Sequence, residues 1–149
     1  MISDALVAYL HYLGIMGMFG ALAIEHLEIG ESITAKTARR LATVDAIYGL
    51  SAITVLATGV ARLFISPKGV MFYMKNPVFH TKFTIFILIG ILSIYPTVKI
   101  LKARKLARTL NDTDSVELPK SIIHMVRLEI LGVALLPLLA ALMARGIGY

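Results

Sequence analysis

The chain contains no cysteine and no tryptophan, and only 16% of its 149 residues are charged. Without thiols there is no disulfide, no thiolate metal centre, no iron–sulfur cluster and no covalent Cys-x-x-Cys-His attachment. Any cofactor is therefore held without cysteine sulfur. Acidic side chains are scarce too, nine against fifteen Lys and Arg, for a net charge of +6. In a soluble protein that excess would point to nucleic acid, whereas in a membrane protein basic loops mainly set orientation. What replaces the missing charge is apolar: 58% of residues are hydrophobic, against about 45–50% in soluble domains. They fall in long blocks, which excludes a disordered chain and argues against a soluble globular domain. The length is that of a single transmembrane domain, residues 1–149.

Four blocks match the about 20 apolar residues a helix needs to cross a bilayer. The first is Ala5–Ile24, in which His11 is the only ionisable side chain. It is too long, and lacks the basic flank, of a signal peptide. The second covers about residues 44–64 and closes on Arg62 and the turn sequence Ser66-Pro67-Lys68-Gly69. The third covers about residues 79–101, after Asn76-Pro77, an N-cap followed by proline in the first turn. The fourth follows Leu118-Pro119 and covers about residues 122–144. The fold class expected is all-α, an integral-membrane four-helix bundle with up-down-up-down connections. Ser32 to Arg40 reads as a helical extension of the second span, and Val70–Met74 as a short interfacial segment. Lys102 to Lys120 reads as a mixed-charge loop turning at Asn111–Ser115.

Charge sets the orientation. Ten of the fifteen Lys and Arg residues fall with the first and third connections, among them Lys36, Arg39, Arg40 and the run from Lys99 to Arg108. That side is expected in the cytoplasm of a bacterial inner membrane, with both termini outside.

Ionisable residues inside a membrane span are costly and are functional candidates by default. His11 lies about 9 Å into the first span at about 1.5 Å per residue; it is either a ligand or a histidine satisfied by a neighbouring helix. His80 and Lys82 open the third span on the same side. On the opposite side stand His26 at the end of the first span, His124 at the start of the fourth, and Arg127 and Glu129 beyond it. Arg127 and Glu129, two apart, face different ways, and Asp45 is at a depth suited to pair with Arg127. Gly14, Gly17 and Gly20 recur every third residue of the first span. They allow close helix approach or, at Gly14 beside His11, room for a flat cofactor. Pro96 and Pro137 lie inside spans, where a kink can open a lateral cavity. Six Tyr and six Phe form no recognisable aromatic cage. There is no Gly-rich phosphate loop, no His-Glu-x-x-His and no nucleophile elbow.

His11-Tyr-Leu-Gly, Glu25-His26-Leu-Glu28 and Leu92-Ser-Ile-Tyr-Pro96-Thr resemble a family of small, uncharacterised four-span bacterial membrane proteins. More distantly the chain is similar to the HemJ-type protoporphyrinogen oxidases. The likeness rests on His11, on Arg39-Arg40 before the second span, on Phe79-His80-Thr81-Lys82, and on Arg127-Leu128-Glu129. It departs at Gly17-Met18 and Leu128, where that family tends to carry tryptophan and asparagine. The resemblance implies non-covalent haem b on imidazole, with His11 and His80 as iron ligands and His26 with His124 as an alternative pair. It implies Lys82 or Arg127 for the propionates, Glu129 for proton relay, and Lys82, Arg127 and Glu129 as the catalytic set. The activity implied is oxidation of a porphyrinogen, or electron transfer to quinone. The partners expected are the bilayer and a porphyrinogen or quinone, not nucleic acid, with homo-oligomerisation left open. Two further readings stand beside it: a small ion-coupled transporter without haem, relaying through Asp45, Arg127 and Glu129, and a non-catalytic membrane assembly factor.

Overall fold

A computed structural model of the chain describes residues 2–65 and 69–147. Four long helices carry the fold: α1 (Ile2–Glu28), α2 (Ala35–Ile65), α4 (Pro77–Ala107) and α5 (Lys120–Ala144). A short α3 (Val70–Met74) joins α2 to α4, and β1 (Ser32–Thr34) and β2 (Ser115–Glu117) pair antiparallel, Ile33 opposite Val116. The turn expected at Ser66-Pro67-Lys68 lies outside the described residues.

Each long helix is long and apolar enough to span a membrane, and only 17–28% of each apolar stretch is buried within the protein. The exposed remainder, including Leu6, Leu50, Leu88 and Leu131, is apolar surface of the kind a bilayer accommodates. α1 packs on α2 and α5, and α4 packs on α2 and α5, which closes the four helices into a ring. One end of the ring carries the termini and α3, and the other carries the β1–β2 pair.

The helices outrun the spans expected for them, because their ends leave the apolar layer. At about 1.5 Å per residue, α2 and α4 are about 46 Å long, against about 30 Å of hydrocarbon. Their polar extensions, Lys36–Arg40 and Lys99–Ala107, meet at the β1–β2 end. There Arg39 donates to the Ala107 carbonyl (2.5 Å) and pairs with Asp112, fastening α2 to the C-terminus of α4. Arg40 pairs with Glu28 (3.0 Å) and Lys120 with Glu31 (3.1 Å). At the opposite end the Asn76 side chain caps α4, accepting from the Val78 amide at 2.8 Å, with Pro77 in the first turn.

The most completely buried apolar side chains, Leu22, Leu41, Ile100, Ile122, Val116 and Val126, all lie in the β1–β2 half. The terminal half is more open. α1 and α2 approach closely at Gly14 and Gly17. A Cβ at Gly14 would stand 2.8 Å from Val55 Cγ2 and 3.2 Å from the Ser51 carbonyl, and one at Gly17 would stand 2.4 Å from Ser51 Oγ. α4 and α5 run through Pro96 and Pro137 without interruption.

A cavity in the terminal half and an acidic cluster in the other

The open half of the ring encloses a cavity of about 520 Å³. α1 contributes His11, and α2 contributes Val55, Gly59 and Arg62, which recur at helical spacing on one face. α4 contributes Phe79, Lys82, Phe83 and Phe86, again at i, i+3, i+4 and i+7. Pro137 of α5 forms part of the wall, and α3 closes the top with Phe72 and Tyr73. Tyr12, Leu56 and Phe83 both line the cavity and are exposed on the outside of the bundle, so it opens sideways to lipid.

His11 is only 6% exposed, and its orientation is set by a chain of hydrogen bonds. The Thr58 hydroxyl donates to the Thr54 carbonyl at 2.5 Å, with the Val55 carbonyl at 3.3 Å. Carbonyl oxygens only accept, so the single hydroxyl proton is committed to them. Thr58 Oγ1 must then accept from His11, 2.9 Å away, which assigns the proton of the neutral imidazole to Nδ1. Gly59 lets α2 approach the same edge of the ring, a Cβ there standing 3.4 Å from His11 Cε1. The Val55 carbonyl is a further hydrogen-bond partner of the ring, and in this tautomer Nε2 keeps its lone pair. A histidine whose Nδ1–H is held by a second residue is the usual arrangement behind a metal-binding Nε2.

Two cations share the cavity with this imidazole. Neither Arg62 nor Lys82 has a carboxylate partner among the described residues, and Arg62 Nε is buried with no hydrogen bond. One wall is aromatic. The Tyr73 and Phe79 rings meet edge to face at 5.7 Å, and Phe79 stacks on Phe83 at 6.3 Å. The site is thus an apolar slot with a neutral base and two uncompensated positive charges.

His80 does not enter it. The ring is exposed, and Nε2 is engaged by the Met74 carbonyl at 2.8 Å. The reason is helical geometry: at about 100° per residue, His80 and Lys82 stand about 200° apart. With Lys82 facing the cavity, His80 faces away, so the His11–His80 ligand pair is not assembled. Gly14 is likewise a helix-packing residue against Val55 and Ser51, not part of the cavity wall. Arg62 and the aromatic wall were not anticipated. The signals were present in Phe79, Phe83 and Phe86 at helical spacing and in Arg62 one turn beyond Thr58.

In the β1–β2 half the remaining candidates separate. His124 and Arg127 are exposed, so Arg127 does not meet Asp45, whose carboxylate accepts instead from Thr97 Oγ1 at 2.8 Å. Glu129, two residues from Arg127, points inward and is 1% exposed. It joins Glu25 (2% exposed) and Asp45 (6%), the three standing close enough to repel one another. The Tyr48 hydroxyl reaches Glu129 and the Ser93 side chain. His26 is half-buried, with Nδ1 unbonded.

Four apolar, membrane-length helices around a lateral, cationic cavity define a small polytopic membrane protein. The chain belongs to the family described as "Predicted membrane protein (DUF2214)", whose model matches residues 3–148. No curated protein and no solved structure matches it.

Proposed function

We propose that the cavity holds haem b in a bacterial inner-membrane oxidoreductase, with His11 as the one protein ligand to iron. The observation that carries this reading is the His11–Thr58 hydrogen bond, which leaves Nε2 unprotonated beside a slot flanked by Arg62 and Lys82. The donor set fits the group. Imidazole suits iron, two cations suit two propionates, and aromatic and aliphatic walls suit the macrocycle. Pockets for such ligands commonly measure about 300–1,000 Å³, a range that includes the about 520 Å³ found here. Bound haem would supply one-electron exchange, with His11 the residue that would hold its iron. The chain's own contributions are to orient the imidazole through Thr58, neutralise the acidic edge of the ligand through Arg62 and Lys82, and exclude water. The reaction implied is HemJ-like, with a porphyrinogen or a reduced carrier as electron donor and quinone as acceptor.

The test is the visible spectrum of protein purified from haem-replete cells. A Soret band is expected, lost in His11→Ala, weakened in Arg62→Gln and unchanged in His80→Ala. Absence of the band, with none forming on hemin addition, would overturn the proposal. A second reading follows from the sideways opening: the same slot takes a metal-free acidic amphiphile from the bilayer. It predicts copurification of such a lipid-soluble anion, lost in Arg62→Gln and retained in His11→Ala.

A further inference from the structure

The β1–β2 half of the bundle contains a polar group that the cavity does not use. Glu25 of α1, Asp45 of α2 and Glu129 of α5 converge in the interior, about 20 Å from His11 along α1 at about 1.5 Å per residue. The remaining acidic residues lie in the first or last turn of α1 or in the connections, at the ends of the bundle. These three are buried, and no cation among the described residues pairs with them. The groups that face them are Tyr48 and the Ser93 and Thr97 hydroxyls; α4 brings no charge to the cluster, and Arg127 of α5 is exposed. His26 and the Glu28–Arg40 pair lie toward the β1–β2 end. Three carboxyl oxygens are fully buried with no hydrogen-bond partner, Glu25 Oε1 and Glu129 Oε1 in the cluster and Glu28 Oε2 next to it.

Such an arrangement does not hold three anions. An unpaired carboxylate in a low-dielectric interior costs several kcal/mol, and a second one beside it adds repulsion. A metal ion would be one remedy, but among the described residues no three His, Asp or Glu side chains converge as metal ligands. A proton is the other remedy: a protonated carboxyl is neutral and needs no counter-ion.

We infer that Glu25, Asp45 and Glu129 form a proton-binding site, which keeps more than one of the three carboxyls protonated at neutral pH and exchanges with water at the β1–β2 end. The route outward is short. Glu28 is one turn from Glu25 on the same face of α1, and its carboxylate is 20% exposed and paired with Arg40. The site stands whatever occupies the cavity, since it shares no residue with the cavity wall.

Infrared pH titration of the full chain in liposomes reads the site directly. A protonated-carboxyl C=O band is expected at neutral pH, shifting in D2O and disappearing only in alkali. Glu25→Gln, Asp45→Asn and Glu129→Gln should each reduce it, whereas Glu28→Gln should leave it unchanged. Wild-type protein without that band at neutral pH would overturn the inference, whatever the variants do. A band that appears only when sodium is removed would also overturn it, in favour of a sodium site. A band untouched by all three substitutions would do the same.

Discussion

Thr58 matters at the residue scale because a hydroxyl has one proton and that proton is already committed to the α2 backbone. Replacing it with valine keeps the shape but removes the hydroxyl acceptor of His11 Nδ1–H, leaving the Val55 carbonyl as the remaining partner of the ring. Thr58→Val should cost about 0.5–1.5 kcal/mol, read as a lower melting temperature in a fixed detergent, and Thr58→Ser should recover most of it. Thr54→Val, which removes only a bond to its own helix at Leu50, is the control and should change little. An equal loss in both variants would mean that the His11 bond carries no special weight. His11 itself was legible as an isolated imidazole in an apolar run, but its tautomer was not, because Thr58 is 47 residues away. Glu25 stands out in the sequence only within Glu25-His26-Leu-Glu28. Only the packing of α5 against α1 shows that it shares an interior with Glu129.

Between elements, the α1–α2 contact depends on how little protrudes from α1. Interfaces in membranes are tightened by small residues that let backbones approach. Gly14 and Gly20 belong to the same three-residue repeat, yet only Gly14 has a neighbour: a Cβ at Gly20 would meet nothing within 4 Å. Gly14→Ala should therefore destabilise the protein, because its new methyl strikes Val55 and the Ser51 carbonyl. Gly20→Ala should be neutral or slightly stabilising, since alanine favours helix by up to about 1 kcal/mol over glycine. Thermal denaturation of the two variants separates them, and similar melting temperatures would remove the distinction. At this scale the sequence was most readable where the signal is local. The Asn76-Pro77 helix start and the four apolar blocks appear where expected, since capping and hydropathy act within a few residues. β1 and β2 were not legible. Each has three residues, and their partners are separated by about eighty positions in the chain, so no periodicity marks them. The His80–Lys82 angle, by contrast, was available from helical arithmetic alone.

For the whole molecule, the asymmetry of the two ends is electrical as well as structural. Lys36, Arg39, Arg40 and the basic C-terminal part of α4 crowd the β1–β2 end, which the positive-inside rule predicts to be cytoplasmic. Because the chain has no cysteine, single thiols can be added without a background. Lys75→Cys, exposed at the α3 end, should react with an impermeant maleimide in intact cells. Thr113→Cys, exposed at the opposite end, should react only after permeabilisation. The reverse pattern would invert the molecule and move the His11 cavity to the cytoplasmic leaflet.

The sideways opening of the cavity also sets the units in which its affinity must be expressed. A ligand that arrives between acyl chains is in equilibrium with its mole fraction in the lipid, not with its concentration in water. Detergent micelles enlarge that apolar phase and dilute whatever partitions into it, so occupancy after purification should fall as the detergent-to-protein ratio rises. Extraction in a lipid disc of constant composition holds the reservoir steady, and there the dissociation constant of the site becomes a property of the protein alone.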